Sequence, residues 1–227
     1  MKVTDIMSTN VATVAPDTSV KEVAMLMVQR RISGVPVVDE GGHVIGLISE
    51  GDLIRRPEMA TDKPLSRWAS LMTGQEQKAR DFIKTHGLHA QEVMTPAVVT
   101  INADATLNEA AGRMEKNKIK RLPVVEGGKL IGILTRADLL RALATSPDFK
   151  LAAPQSSDRA IRDELNDLLR KEDWAASAMV NVIVTDGTVQ MWGVVDSRDQ
   201  RKALRVAAEG IDGVRAVEDH LSMGIPT

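Results

Sequence analysis

The chain has no cysteine and no tyrosine, and its aromatic content is 2%, three Trp and two Phe among 227 residues. Without cysteine there are no disulfides, zinc–thiolate sites, iron–sulfur clusters or thiol nucleophiles. Scarce aromatics remove the stacking platforms that bind single-stranded nucleic acid, and leave Val, Ile, Leu, Ala and Met to build the core. Charge of one sign is lacking too, with 29 Lys and Arg against 31 Asp and Glu, so no global basic field attracts nucleic acid or a membrane surface. No apolar run approaches the roughly 18 residues of a membrane span. The start Met1-Lys2-Val3-Thr4-Asp5 meets an acid at once and lacks the apolar stretch of an export signal, so a cytoplasmic protein is expected. What is present is 43% hydrophobic residues, enough for a packed core in one or two domains.

An internal repeat organises the first two thirds. Asp5-Ile6-Met7 overlays Glu92-Val93-Met94 at an offset of 87, and Val35-Pro36-Val37-Val38 overlays Leu122-Pro123-Val124-Val125. The offset then becomes 86, with Gly46-Leu47-Ile48-Ser49 on Gly132-Ile133-Leu134-Thr135 and Asp52-Leu53 on Asp138-Leu139. Each copy reads as β-α-β-β-α. A short strand (11–14; 98–101) leads through a capping region (Asp17, Thr18; Asp104 to Thr106) into a helix with apolar residues at i, i+3, i+4 and i+7. Those are Val20, Val23, Ala24 and Met27, then Leu107, Ala110, Ala111 and Met114. Two strands joined at Gly41-Gly42 or Gly127-Gly128 follow, and a second helix starts at Ser49 or Thr135. Such a unit is too small to bury its sheet alone, so the two copies are expected to pack as a pair.

No catalytic constellation is found. Gly46-Leu47-Ile48-Ser49-Glu50-Gly51 has one residue too many for a G-x-S-x-G nucleophile elbow, and neither a P-loop nor G-x-G-x-x-G occurs. His86 and His89 lack a third nearby metal ligand, and His43 and His220 read as surface residues. A non-enzyme is expected.

The duplicated strings Val35 to Asp39 with Gly46 to Leu53, and Leu122 to Val125 with Gly132 to Leu139, resemble the tandem CBS domain pair, a regulatory module that commonly binds adenine nucleotides. The resemblance implies that Asp52 and Asp138 accept hydrogen bonds from ribose hydroxyls and that Ser49 and Thr135, at helix starts, face phosphate. Thr13, Val14, Thr100 and Ile101 would hold the purine, and Pro36 and Pro123 would shape the turn into the central strands. Lys120 and Arg121 would supply the cationic contact for phosphate, in their own repeat's site or the facing one, and repeat 1 has Ser33-Gly34 in their place and Glu50 where repeat 2 has Arg136, so the sites should differ in phosphate affinity. Ser or Thr followed three residues on by Asp is equally an ordinary helix cap with no ligand.

Between the repeats, the sequence predicts a helical insertion over 57–90, with one short helix around Trp68, Leu71 and Met72 and a second ending at His86-Gly87. A linker is expected over 148–156. Beyond it, a helix with Ile161, Leu165 and Leu168 or Leu169, strands at 180–185 and 188–195 around Asp186-Gly187, a helix over 197–209 and a strand near 214–221 resemble the BON domain, a family associated with phospholipid or envelope interactions. Its second helix carries Arg198, Arg201, Lys202 and Arg205 on one stripe, yet residues 155–227 hold 9 Lys and Arg against 13 Asp and Glu, which favours a solvated or partner-facing stripe over a lipid site.

The expected fold is α+β: tandem β-α-β-β-α CBS repeats (1–56 and 91–147) packed as a pair, plus a small α-β-β-α-β BON-like domain (157–227). The expected function is regulatory binding of an adenosine compound (AMP, ADP, ATP, NAD(H) or S-adenosylmethionine). No catalytic cofactor and no nucleic acid are expected. A homodimer is expected through the CBS pair, and a protein or phospholipid partner through the last domain. The alternative is a ligand-free interaction module in which the pair only dimerises.

Overall fold

The computed structural model describes residues 1–56, 75–144, 156–176 and 178–224. The expected first helix of the insertion, around Trp68, and most of the expected linker lie outside these residues. The chain divides into two compact units, one of residues 12–98 and the other of residues 1–11 with 99–227.

The first unit holds repeat 1. Ser19, one residue beyond the predicted capping pair, caps α1 (Val20–Gln29): its Oγ accepts from the Glu22 N–H at 3.2 Å while Glu22 Oε2 accepts from the Ser19 N–H at 3.0 Å. The capping position moves because a Glu three residues on completes the reciprocal box only from Ser19. Strands β1 (Gly34–Val38) and β2 (Val44–Ser49) pair antiparallel, and the expected strand over 11–14 is reduced to a single parallel bridge from Val14 to Val37. The short α2 (Glu50–Leu53), α3 (Gln75–His86) and α4 (Ala90–Val93) complete the unit, and α3 matches the second predicted insertion helix. Val14, Val23, Met27, Val35, Val37, Ile48, Leu53, Ala90 and Val93 form its core.

The second unit holds repeat 2 and the C-terminal domain. Strand β3 is only Ile101–Asn102, shorter than expected and parallel to β4 (Arg121–Glu126), which pairs antiparallel with β5 (Lys129–Thr135). Helix α5 (Leu107–Lys116) is capped by Thr106 with Glu109, and α6 (Arg136–Ala144) follows β5 directly. The C-terminal domain runs α7 (Ser156–Lys171), β6 (Met179–Thr185), β7 (Thr188–Val195), α8 (Arg198–Glu209) and β8 (Ala216–Met223). Ser156 already belongs to α7, so the linker ends earlier than the sequence suggested. Its sheet is β6-β7-β8, antiparallel then parallel. Asp158 lies in the first turn of α7 and accepts from the N–H groups of Asp186 and Gly187, tying the helix to the β6–β7 turn.

The leading segment of each repeat folds with the other copy's strands. A 3-10 turn at Val3–Asp5 precedes Ile6 and Met7, and all three of Val3, Ile6 and Met7 enter the repeat 2 core. Ser8 bridges to Ile133, and in the other unit Thr95 bridges to Leu47. Met7 lies across Gly132 and Met94 across Gly46, so closely that a Cβ on either glycine would occupy the thioether's place. The shared spacing of Asp-Ile-Met and Glu-Val-Met with the two glycines is thus a packing requirement.

Candidate functional site

The duplicated Ser/Thr-x-x-Asp motif folds alike in both repeats. In repeat 1, Asp52 Oδ2 accepts from the Ser49 N–H at 2.9 Å and from its Oγ at 2.6 Å. In repeat 2, Asp138 Oδ2 accepts from the Thr135 N–H at 2.7 Å and from its Oγ1 at 2.7 Å. Both hydroxyl hydrogens therefore point at the neighbouring carboxylate, not outward to a phosphate. The first N–H of each following helix is also engaged, Glu50 with the Ser33 carbonyl at 3.3 Å and Arg136 with the Lys120 carbonyl at 3.0 Å.

The second oxygen separates the two carboxylates. Asp52 Oδ1 accepts from Lys84 Nζ of α3 at 2.6 Å, with the lysine side chain 41% exposed and the aspartate 13%. Burial pushes the Asp52 carboxyl up, but the hydrogen bonds from Lys84 and Ser49 outweigh it and hold the group below its ordinary value. Asp138 is 1% exposed. Its Oδ1 accepts from Arg141 Nη1 at 2.8 Å and from Asn181 Nδ2 of β6 at 3.0 Å. A carboxylate offers about four acceptor positions, so among the described residues Asp138 has all of them filled and Asp52 has one open.

The other predicted site residues divide into surface and core. Thr13 is exposed and Thr100 half-buried, but the side chains of Val14 and Ile101 sit in the cores of their units, which leaves only their backbone available to a ligand. Pro36 and Pro123 lie within strands β1 and β4, opposite Leu47 and Ile133. Lys120 and Arg136 are exposed beside the start of α6, and Arg121 is half-buried at the start of β4. Lys84 and Asn181 are functional neighbours of the motif that no sequence pattern singles out. Lys84 follows Asp52 by 32 residues and Asn181 follows Asp138 by 43, too far for any local spacing rule.

Among the described residues no group of three or more His, Asp and Glu is placed to hold a metal. His86 stacks on Phe82 with ring centroids 3.9 Å apart. Likewise, no helix among them is long and apolar enough to cross a membrane. On α8 the basic stripe is partly neutralised, Arg201 by Asp219 at 2.7 Å and Arg205 by Glu209 at 2.8 Å, while Arg198 and Lys202 are exposed.

Comparison with known families matches the CBS domain to residues 3–58 and 90–145. The BON domain matches residues 157–224. The chain belongs to the CBS domain family. An uncharacterized protein of Methanocaldococcus jannaschii is 35% identical over 158 residues, covering 63% of this chain and 91% of its own. The chloroplastic CBS domain-containing protein CBSX1 of Arabidopsis thaliana is 34% identical over 139 residues, and the match spans 57% of each protein. Among solved structures, CBSX2 in complex with AMP aligns with a TM-score of 0.56 at 32% identity, over 64% of this chain and 99% of that one.

Proposed function

We propose that this CBS–BON protein is a regulatory module that binds an adenosine nucleotide at repeat 1, with Asp52 as the ribose acceptor. The observation that carries the reading is the open acceptor position on an ionised carboxylate with a movable cation beside it. Lys84, with its side chain 41% exposed, can give way to a ribose hydroxyl that takes over its hydrogen bond to Asp52 Oδ1. The freed ammonium then stands ready for phosphate. The AMP complex of the related CBSX2 supports the ligand class. The backbone around Thr13 and Val14 is the side proposed for the purine. The signal passes to a partner through the BON domain, whose α8 offers Arg198 and Lys202, and the CBS pair forms a homodimer through α1, where Met25 and Val28 are exposed.

A thermal-shift panel of AMP, ADP, ATP, NAD(H) and S-adenosylmethionine, with GMP and CMP as controls, tests the ligand. At free ligand about 100 times the dissociation constant, binding adds about 2.7 kcal/mol, roughly 5 to 10 °C for a chain of this size. A rise confined to adenosine compounds and lost in Asp52→Ala is expected. A flat panel would instead support the second reading, an interaction module without ligand, which the saturated Asp138 favours.

A further inference from the structure

The sheet of the BON domain has two buried faces. Along β6 and β7, Val180, Val182, Val184, Val189 and Met191 face the domain's own helices, as the two-residue period of a strand requires. The alternate residues point the other way, and Ile183, 1% exposed, belongs to the repeat 2 core together with Trp192. Asn181 is the cross-strand partner of Trp192 and shares that face. It is 4% exposed, and its Nδ2 donates to Asp138 Oδ1 at 3.0 Å and to the Ile6 carbonyl at 2.9 Å. Arg141, the other donor to Asp138 Oδ1, has its Cζ 5.8 Å from the Trp192 ring centroid. Around this contact the docking is broad. Arg162 donates to the carbonyls of Val182, Met7 and Thr4, Arg159 pairs with Asp5 at 2.9 Å, and Asn10 donates to the Ala178 carbonyl at 2.7 Å.

The amide of Asn181 therefore stands on the same carboxylate oxygen a ribose hydroxyl would need, and it presents the same donor chemistry. Two buried polar atoms on this face, Asn181 Oδ1 and Trp192 Nε1, have no hydrogen-bond partner among the described residues. The contact consequently leaves polar groups unmatched, as a surface adapted to more than one state would.

We propose that the BON domain is the resident occupant of the repeat 2 ligand position, so that the docked chain takes up one adenosine nucleotide, at Asp52, and a second only when the BON sheet leaves Asp138. This inference rests on reading the Ser/Thr-x-x-Asp motif as a ribose site. It assigns the C-terminal domain as an internal competitor of the nucleotide, with Asn181 and Ile183 as the contact residues.

Titration calorimetry of the full chain with AMP tests it. The wild type is expected to bind one AMP per chain. Ile183→Asp places a charge in the docking face without entering the domain's own core, and is expected to bind two, the second lost on adding Asp138→Ala. Asn181→Asp, which sets a carboxylate against Asp138, gives the same result by a smaller change should Ile183→Asp fail to fold. Hydrogen exchange at residues 133–138 independently reports undocking, by faster exchange. Two AMP per wild-type chain, or one per chain in a variant whose exchange shows it undocked, would overturn the proposal while the repeat 1 reading stands. No AMP bound by any form would overturn both.

Discussion

Asp52 and Asp138 occupy equivalent places in the duplicated motif, and their surroundings make them chemically unlike. Asp138 is sealed and holds four donors, so Asp138→Ala removes the shared buried acceptor of Thr135, Arg141 and Asn181. A loss of about 3 kcal/mol in urea denaturation is expected. Asp52→Ala removes a half-open cap and is expected to cost about 1 kcal/mol; equal losses would contradict the difference in burial. The Asp52 carboxyl is held below its ordinary value, so its contribution is complete above the unfolded-chain value of about 3.9 and is lost as pH falls through the lower native one. The destabilisation caused by Asp52→Asn should therefore be constant above about pH 5 and shrink progressively as the pH falls below about 4, and a pH-independent difference would refute the assignment. The motif residues themselves were legible, because duplication made a weak pattern specific. Their partners Lys84 and Asn181 were not, since nothing within a helical turn of either aspartate signals a donor arriving from another element.

At the scale of elements, the strands and hairpins followed from β-branched runs bounded by glycine, and most helices from apolar spacing. The errors fell where local chemistry offered a choice. Asp17, Thr18 and Ser19 can all cap, and only Ser19 has Glu22 three residues on. Ser19→Ala and Thr106→Ala are each expected to lower stability by about 1 kcal/mol, read by denaturant midpoint. The glycines of β2 and β5 have a tertiary cause. Gly132→Ala pushes against Met7 and should cost about 1–3 kcal/mol, with Met7→Ala relieving part of it in a double-mutant cycle. Additive losses would mean that the thioether is not what requires the glycine.

At the scale of the whole chain, sequence order and folded unit part company. The repeats are contiguous in sequence, yet residues 1–11 fold with repeat 2 and residues 90–98 with repeat 1. Offsets between repeats identify homologous positions, and they carry no information about which copy a segment packs on. The same limit hid the docking of the BON domain. Its strand Val180-Asn181-Val182-Ile183-Val184 has apolar residues on both faces, and a strand buried on both sides was the one available signal. Removing residues 1–7 should speed hydrogen exchange by about tenfold or more in β4 and β5 while β1 and β2 keep their protection, since Val3, Ile6 and Met7 serve only the second unit's core. Equal loss in both repeats would contradict this division.

The central claim, that repeat 1 reads adenosine through Asp52, is tested most directly by equilibrium dialysis of labelled AMP against the wild type and Asp52→Ala, with unlabelled GMP as competitor. The account predicts saturable binding to the wild type that GMP does not displace and that Asp52→Ala abolishes. Undiminished AMP binding in Asp52→Ala would contradict it.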